Sequence, residues 1–403
     1  MKLVVLLKLS ENFLRGLFLI FVTYSLSLSE SGYFGIFVSL VTITAYLVSF
    51  EKRIEFQREM VNKNLNEVIN RILQLIAFFC INFLILIPLF YAIIYYYFEL
   101  PFLYSLFIFC IIFSEVIFNQ AYQFSLIRKE LYFIQLMNLI RFFIIFIFTI
   151  YVFIASNQIT LEMIILIWSC ISILALLISF IFLYMISINN SSSFNFINIF
   201  SEYKISISHF FFGFFSMLLL TIDRLILDQF LDIEELGIFF RNIVIFSIFL
   251  QFFNIALVNR VTPLIFDLCK KQKFKKIDSI VFKELFNGVA LISVYVLVLG
   301  GLYPYFLEFN IVFQYQVILS LALVFRLILD FFSVIFLGLR YEQVLLKLVI
   351  MQIIFLPFLL TFLTLEFSIL GSFLGILILN VVFFLTYFII YQGKLKNEKN
   401  FNL

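Results

Sequence analysis

Apolar runs long enough to cross a bilayer follow one another along nearly the whole chain, and short polar gaps separate them. A bilayer core asks for about 20 apolar residues per helix, and that ruler divides the chain into about twelve spans. They begin near Leu7, Tyr33, Ile72, Phe102, Leu131, Leu161, Ile205, Leu236, Val281, Ile311, Gln343 and Ser368. The pattern therefore predicts an all-α polytopic membrane protein. Pro88 and Pro357 fall inside spans and predict bends there.

The gaps sort by charge. One set carries Lys2 and Lys8; Lys52, Arg53, Arg58, Lys63 and Arg71; Arg128 and Lys129; Lys204; the run Lys270, Lys271, Lys273, Lys275 and Lys276; Arg340; and Lys394, Lys396 and Lys399. The alternate set carries Glu30, Glu99, Glu162, Asp228, Asp232, Glu234, Glu235, Glu308 and Glu366, and no Lys or Arg. The positive-inside rule makes the basic set cytoplasmic, puts both termini inside and requires an even number of spans. A wrongly divided helix would break the alternation downstream, so the charges check the count as well as the orientation. Tyr95, Tyr96, Tyr97, Tyr303 and Tyr305 sit at outer boundaries, as an interfacial aromatic belt would.

Composition narrows the class. The chain is 64% hydrophobic, and its formal net charge of +3 is divided between the two faces. Basic inner loops suit an anionic leaflet, and nothing supports nucleic-acid binding. The four cysteines show neither disulfide nor metal-ligand spacing, and His209 is the single histidine, so a histidine-based metal site or triad is not expected. The first ten residues lack a small-residue cleavage site and run on through Glu11 and Arg15, which predicts a retained first helix rather than a signal peptide. Many Phe, Ile and Asn with little Ala suggest an AT-rich, bacterial genome.

The most loop-like gap is Asn189-Asn190-Ser191-Ser192-Ser193. Its Asn-x-Ser pattern lies on the cytoplasmic side, so it is read as a linker and not as a glycosylation acceptor. The expected organisation is an N-terminal six-helix lobe (1–188), a cytoplasmic linker (189–203), a C-terminal six-helix lobe (204–392) and a tail (393–403). An internal repeat supports two halves. The acidic turn Leu28 to Tyr33 runs into Phe34-Gly35-Ile36-Phe37, and the turn Leu231 to Glu235 runs into Leu236-Gly237-Ile238-Phe239. Each half holds an even number of spans, so the repeats are parallel, about an axis along the membrane normal.

These turns carry a resemblance. Leu28 to Leu40 resembles the first outer turn of the Wzx-type O-antigen and polysaccharide flippases, of the multidrug/oligosaccharidyl-lipid/polysaccharide (MOP) exporter superfamily. Thr221-Ile222-Asp223-Arg224-Leu225-Ile226-Leu227, with the turn into Gly237-Ile238-Phe239, resembles the family's seventh-helix Asp-Arg pattern. Asn259-Arg260-Val261-Thr262-Pro263 sits where the family often ends its eighth helix with a Pro. The resemblance spans essentially the whole chain through helix count, topology, repeat and length. It implies two six-helix lobes around a central cavity, and transfer of an undecaprenyl-diphosphate-linked oligosaccharide (an O-antigen, capsule or other polysaccharide repeat unit) from the inner to the outer leaflet of the bacterial inner membrane. It further implies a monomer that works beside a polysaccharide polymerase and a chain-length regulator, in lipopolysaccharide or related biosynthesis.

Charges within the spans are the candidate chemistry, because each costs about 2.5–3.5 kcal/mol at a helix centre. At 1.5 Å rise per residue, Glu115 lies ~20 Å and Arg141 ~15 Å from the cytoplasmic ends of their spans. Arg326 and Asp330 are deep, and Arg241 is about 10 Å below the outer surface. Arg15 and Glu11 occupy the inner half of the first span. Glu11 with Arg15, and Arg326 with Asp330, are spaced i,i+4 and predict self-neutralised pairs. Arg141 and Glu115 have no opposite charge one turn away, so they pair with each other or line a polar cavity. Asp223 and Arg224 point ~100° apart near the outer boundary, where a structural, snorkelling role is expected. Arg260 and Lys347 lie near inner ends, where snorkelling suffices. Arginine suits a phosphate because its charge survives desolvation and its fork matches phosphate oxygens. Arg15, Arg141, Arg241 and Arg326 are thus the candidate diphosphate or sugar contacts, Glu115 and Asp330 the candidates for ion coupling, and Glu11, Asp223, Arg224 and Arg260 structural or gating charges.

No nucleotide-binding Gly-rich loop is present, so an ion gradient is the expected driving force and no cofactor is expected. Two other readings compete. A cation-coupled drug antiporter of the same superfamily would favour carboxylates over arginines in its cavity. A membrane-embedded glycan polymerase or glycosyltransferase would commonly carry a large outer loop with catalytic residues, whereas the outer gaps here are short and lack Lys and Arg. A scaffold without transport activity leaves the deep charges and the repeat without a purpose.

Overall fold

Helices account for every regular element among the described residues of the computed structural model, which are 2–50, 52, 56, 59–60, 63–98, 102–156, 158–189, 203, 210–211, 213–307 and 311–400. Lipid offers no hydrogen-bond partner, so each backbone group must be bonded within its own segment, and helices do this locally. In chain order the helices are α1 (Lys2–Ser25), α2 (Leu28–Ser49), α3 (Leu65–Phe98), α4 (Phe102–Ile127), α5 (Tyr132–Ser156), α6 (Leu161–Asn189), α7 (Ile222–Leu227), α8 (Ile233–Phe253), α9 (Asn259–Lys270), α10 (Phe274–Leu307), α11 (Phe313–Gly338) and α12 (Glu342–Asn400). A π-helical turn, Asn254–Val258, joins α8 to α9.

Among the described residues, 9 helices are long and apolar enough to cross a membrane. The longest of them, α12, holds two legs, because Ser368 (φ 51°, ψ −136°) interrupts it where the sequence pattern starts its last span. The more charged α1 carries Lys8, Glu11 and Arg15. The seventh span, expected near Ile205, begins at residues outside the described set; helix at 213–218 gives way to a turn before α7. Pro88 lies within α3 and Pro357 within the first leg of α12, before the break at Ser368.

The chain divides into two compact units, Met1–Thr221 and Ile222–Leu403. The expected linker (189–203) lies mostly (190–202) outside the described residues. Aromatic packing gives a physical reason for the boundary after Thr221. The Phe50 ring stacks on Phe210 at 4.2 Å and meets Tyr203 edge-on at 5.0 Å, and the Tyr203 hydroxyl donates to Asn82 of α3. The start of the seventh span is thereby attached to the first unit.

In the first unit α1 packs on α5, and α4 packs against α2, α5 and α6. In the second, α11 packs against α8, α9, α10 and α12. Burial separates axial from peripheral helices: 67% of the apolar window of α4 is buried, against 17% of that of α10. The outward faces are apolar, with Phe282, Leu297 and Phe358 more than 70% exposed, as lipid-facing positions should be.

The two units repeat one another. α3 and α10 are each 34 residues long, and α4 and α11 each 26. Ser27 with Glu30 and Asp232 with Glu235 form capping boxes at the starts of α2 and α8. Glu30 also reaches the start of α6, and Glu235 reaches the break in α12. Glu30 accepts from the Leu161 N–H at 3.4 Å, and Glu235 accepts from the Ser368 hydroxyl at 3.0 Å. The caps align Gly32-Tyr33-Phe34 with Gly237-Ile238-Phe239, three residues away from the Gly-Ile-Phe match in the sequence. The structural repeat is therefore carried by hydrogen-bonding positions, and the register of the apolar match is corrected.

Contacts also sort the ends by charge. Glu30, Tyr104 and Glu162 meet at the acidic end of the first unit, where the Tyr104 hydroxyl donates to Glu162 at 3.1 Å. Arg71 meets Glu59 at 2.9 Å at its basic end. In the second unit Arg260 meets Glu284 at 2.6 Å, and the Tyr391 hydroxyl donates to Asp278 at 2.9 Å, at the basic end.

Gly371 fixes the turn between the two legs of α12. A Cβ there would stand 1.8 Å from the carbonyl oxygen of Leu363. Gly371→Ala must push the legs apart, and overpacking of this kind costs about 3 kcal/mol. The thermal midpoint of the detergent-solubilised protein, read by fluorescence-detected size exclusion, is expected to fall well below that of a Gly301→Ala control, where a Cβ meets nothing within 4 Å.

Candidate substrate-binding site

Three of the predicted residues converge on one carboxylate in the first unit. Glu115 lies half-way along α4, Arg141 in the first half of α5 and Arg15 near the middle of α1, and the packing of α5 on both α1 and α4 brings the three together. Arg141 Nη2 lies 2.8 Å from Glu115 Oε1, and Nη1 donates to Ser114 Oγ at 3.0 Å. Arg15 Nη1 lies 3.3 Å from the other oxygen, Oε2. The Arg141 guanidinium is sandwiched 4.5 Å from the ring centroids of both Phe118 and Phe142, and Arg15 lies 5.4 Å from Phe142. Such stacking suits a delocalised cation in a dry setting.

A second carboxylate extends the group towards the basic end. Glu11 is fully buried, lies 2.8 Å from Lys8 Nζ and accepts from Gln135 Nε2 of α5. The cluster thus contains three cations, Lys8, Arg15 and Arg141, and two carboxylates, Glu11 and Glu115, so one positive charge is uncompensated within it. The Arg141 side chain has no exposure, whereas that of Arg15 is 23% exposed. Arg15 is the arginine of the cluster that an incoming anion can reach.

The other candidates are distributed differently. The expected Glu11–Arg15 pair does not form: Lys8 and Gln135 occupy Glu11, and Arg15 turns across to Glu115 on α4. The expected Arg326–Asp330 pair does form, at 3.3 Å on α11. Asp223 and Arg224 are buried rather than snorkelling; Arg224 lies 5.0 Å from the Phe240 ring, and Asp223 Oδ1 accepts from the Arg224 N–H at 3.0 Å. Arg241 is buried on α8. Arg260 extends towards water while holding Glu284, as expected of an inner-end charge. Glu115 and Arg326 occupy the fourteenth residue of α4 and of α11, so the repeat places one deep charge at the same level in each unit.

Uncharged amides were the residues missed by reading charge alone. Gln135 completes the Glu11 group. In the second unit Gln316 Nε2 donates to Asn242 Oδ1 at 3.0 Å, and Gln316 Oε1 accepts from the Tyr295 hydroxyl at 2.7 Å. The signal was available, since an amide inside an apolar helix needs a partner as a charge does.

No protein-family model matches the chain, and no curated protein matches it by sequence. Solved structures do match by fold. One is an inward-facing multidrug resistance MATE family transporter of the MOP superfamily, with TM-score 0.72 and 13% identity, over 97% of this chain and 95% of that one. Another is the lipid II flippase MurJ in an inward closed conformation, with TM-score 0.66 and 13% identity, over 97% and 88%. A third is a MOP superfamily transporter from Pyrococcus furiosus, for which reverse polarity of the binding pocket suggests a different function, with TM-score 0.57 and 12% identity, over 98% and 92%. The chain has the fold of the MOP superfamily transporters. Its spans make it a multi-pass membrane protein, and these neighbours that share its fold are transporters and a flippase.

The Glu115 carboxylate is what keeps Arg141 charged and buried. Glu115→Leu removes it and should cost about 3–5 kcal/mol, the usual penalty for an unpaired buried ion. Adding Arg141→Met is expected to return more than half of that loss, because an apolar pair of similar volume replaces the ion pair. Thermal midpoints of the purified single and double variants check this.

Proposed function

We propose that the protein is a flippase that moves an undecaprenyl-diphosphate-linked oligosaccharide from the inner to the outer leaflet by alternating access, driven by an ion gradient. The observation that carries this reading is the arginine cluster around Glu115, positive by one charge and with Arg15 accessible. A diphosphate is a ligand suited to such a surplus, since its oxygens can accept the fork that Arg15 offers. Arg141, enclosed by two rings and Glu115, acts as a positioning residue: it fixes the carboxylate that holds Arg15. When a phosphate arrives, Arg15 exchanges one anionic partner for another, which limits the desolvation cost. Arg241 and Arg326 remain candidate contacts, and Glu115 and Asp330 candidates for the coupling ion. The positive-inside pattern orients both termini towards the cytoplasm, in the inner membrane of a bacterium. The polymerase and chain-length partners, the O-antigen or capsule substrate and the monomeric state follow the same reading.

A cation-coupled drug antiporter is the second reading, favoured by the similarity in fold to a multidrug MATE transporter. The excess of one cation over the carboxylates in that cluster opposes a cationic cargo.

The test is translocation of a fluorescent undecaprenyl-diphosphate oligosaccharide in proteoliposomes, with and without a proton or sodium gradient. Arg15→Ala is expected to lower the initial rate by roughly 30-fold, the equivalent of the ~2 kcal/mol lost with one partner of a desolvated charge pair. Arg15→Lys, which keeps the charge without the fork, should fall between. Gradient-driven efflux of a cationic dye with no lipid movement would replace this reading with the antiporter.

A further inference from the structure

At the acidic end of the first unit, a cavity of about 670 Å³ opens among the ends of α2, α3 and α6. Its volume is that of a ligand pocket, which typically runs from about 300 to 1,000 Å³. Two carboxylates, Glu30 and Glu162, and the rings of Tyr33, Tyr96 and Tyr97 line it, with Thr160 beside them. Among the described residues no lysine or arginine lines it, so a diphosphate would meet repulsion from the two carboxylates there.

We propose that this cavity binds the glycan portion of the transported lipid, which makes it a carbohydrate site; the inference rests on the flippase reading above. A sugar ring presents C–H faces that pack on phenol rings, and hydroxyl groups that donate to carboxylates. Tyrosine supplies both an apolar face and a polar tip, and an ionised carboxylate accepts two neighbouring hydroxyls. The two ends of the substrate thereby find separate partners, the diphosphate at Arg15 and the sugars at the acidic end. Arg15 lies ten residues before the end of α1, ~15 Å along the helix.

The internal repeat supplies the control. Glu30 has a structural task, since it caps α2 and reaches the start of α6, and in the second unit Glu235 caps α8 and reaches the break in α12. Of the remaining lining, Thr160 accepts from the Met163 N–H at 3.4 Å and Glu162 from the Tyr104 hydroxyl at 3.1 Å, while the tyrosines contribute ring faces. Aligned on the caps, Tyr33 corresponds to Ile238, so the second unit forms the same capping box without a tyrosine at that position. Tyr96 and Tyr97 line the cavity beside Glu162. An organic cation would also suit carboxylates beside aromatic rings. The hydroxyls of three tyrosines and Thr160 favour a polyol.

The experiment uses the full chain in nanodiscs. The probe is the set of water-soluble oligosaccharides released by mild acid from the lipid-linked pool of the native host cells. Saturation-transfer NMR is expected to show binding, and Tyr96→Ala and Glu162→Gln should each weaken it at least tenfold. Both positions lie at the mouth of the unit, and size-exclusion profiles verify that the variants are folded. Absence of transfer to every glycan in the pool overturns the proposal, as does transfer that both variants retain in full. Tetraphenylphosphonium binding that the two variants lose, in place of glycan binding, overturns it in favour of an organic cation. Lipid flipping is measured on the same preparations. Flipping without glycan contact at this cavity removes this inference and leaves the flippase reading, and glycan binding without flipping removes the flippase reading.

Discussion

Keeping an ion inside an apolar bundle is the constraint on which the first unit depends. Arg141 has no access to water, and its charge is maintained by Glu115, Ser114 and two flanking rings. Those four partners come from α4 and α5, so the ion pair fixes the rotation and depth of both helices at once. Leu or Phe at the same positions would slide with little penalty, because lipid tails are as apolar as the side chains and no hydrophobic drive sets a register. The buried pair therefore contributes more to uniqueness of packing than to raw stability, which is where buried ions are most useful.

The same constraint explains how a rigid device can present a reactive charge. Glu115 has two oxygens; Arg141 holds one, and Arg15 is left the other at the longer distance of 3.3 Å. An enclosed cation thus aligns a carboxylate that in turn holds an accessible cation. Glu11, Lys8 and Gln135 repeat the principle one level nearer the basic end, so the charges form a ladder along α1 rather than an isolated site.

The two units use one architecture with different chemistry. Capping boxes, helix lengths and the reach of Glu30 and Glu235 are shared, because they close turns that both units need. The deep residues diverge: Glu115 on α4 faces Arg15 and Arg141 from other helices, while Arg326 at the matching level of α11 pairs with Asp330 on its own helix. The acidic ends diverge as well, with Tyr33 in place of Ile238.

Span positions, the alternation of charge and the all-helical class were legible in the sequence, because bilayer thickness and the cost of burying charge act on each segment separately. Expected starts such as Phe102, Leu161 and Ser368 coincide with helix starts or with the break in α12 for that reason. The i,i+4 pair on α11 was legible too, since one helix contains both partners. What the sequence left open depended on distance between segments. Glu11 and Arg15 have pairing geometry on α1, yet Gln135 and Glu115 from other helices compete for them and win. The burial of Asp223 and Arg224, the attachment of Tyr203 and Phe210 to the first unit, and the cavity formed by Tyr33, Tyr96 and Glu162 likewise arise from helices far apart in sequence. Local periodicity carries no information about which neighbours meet; only tertiary packing supplies it.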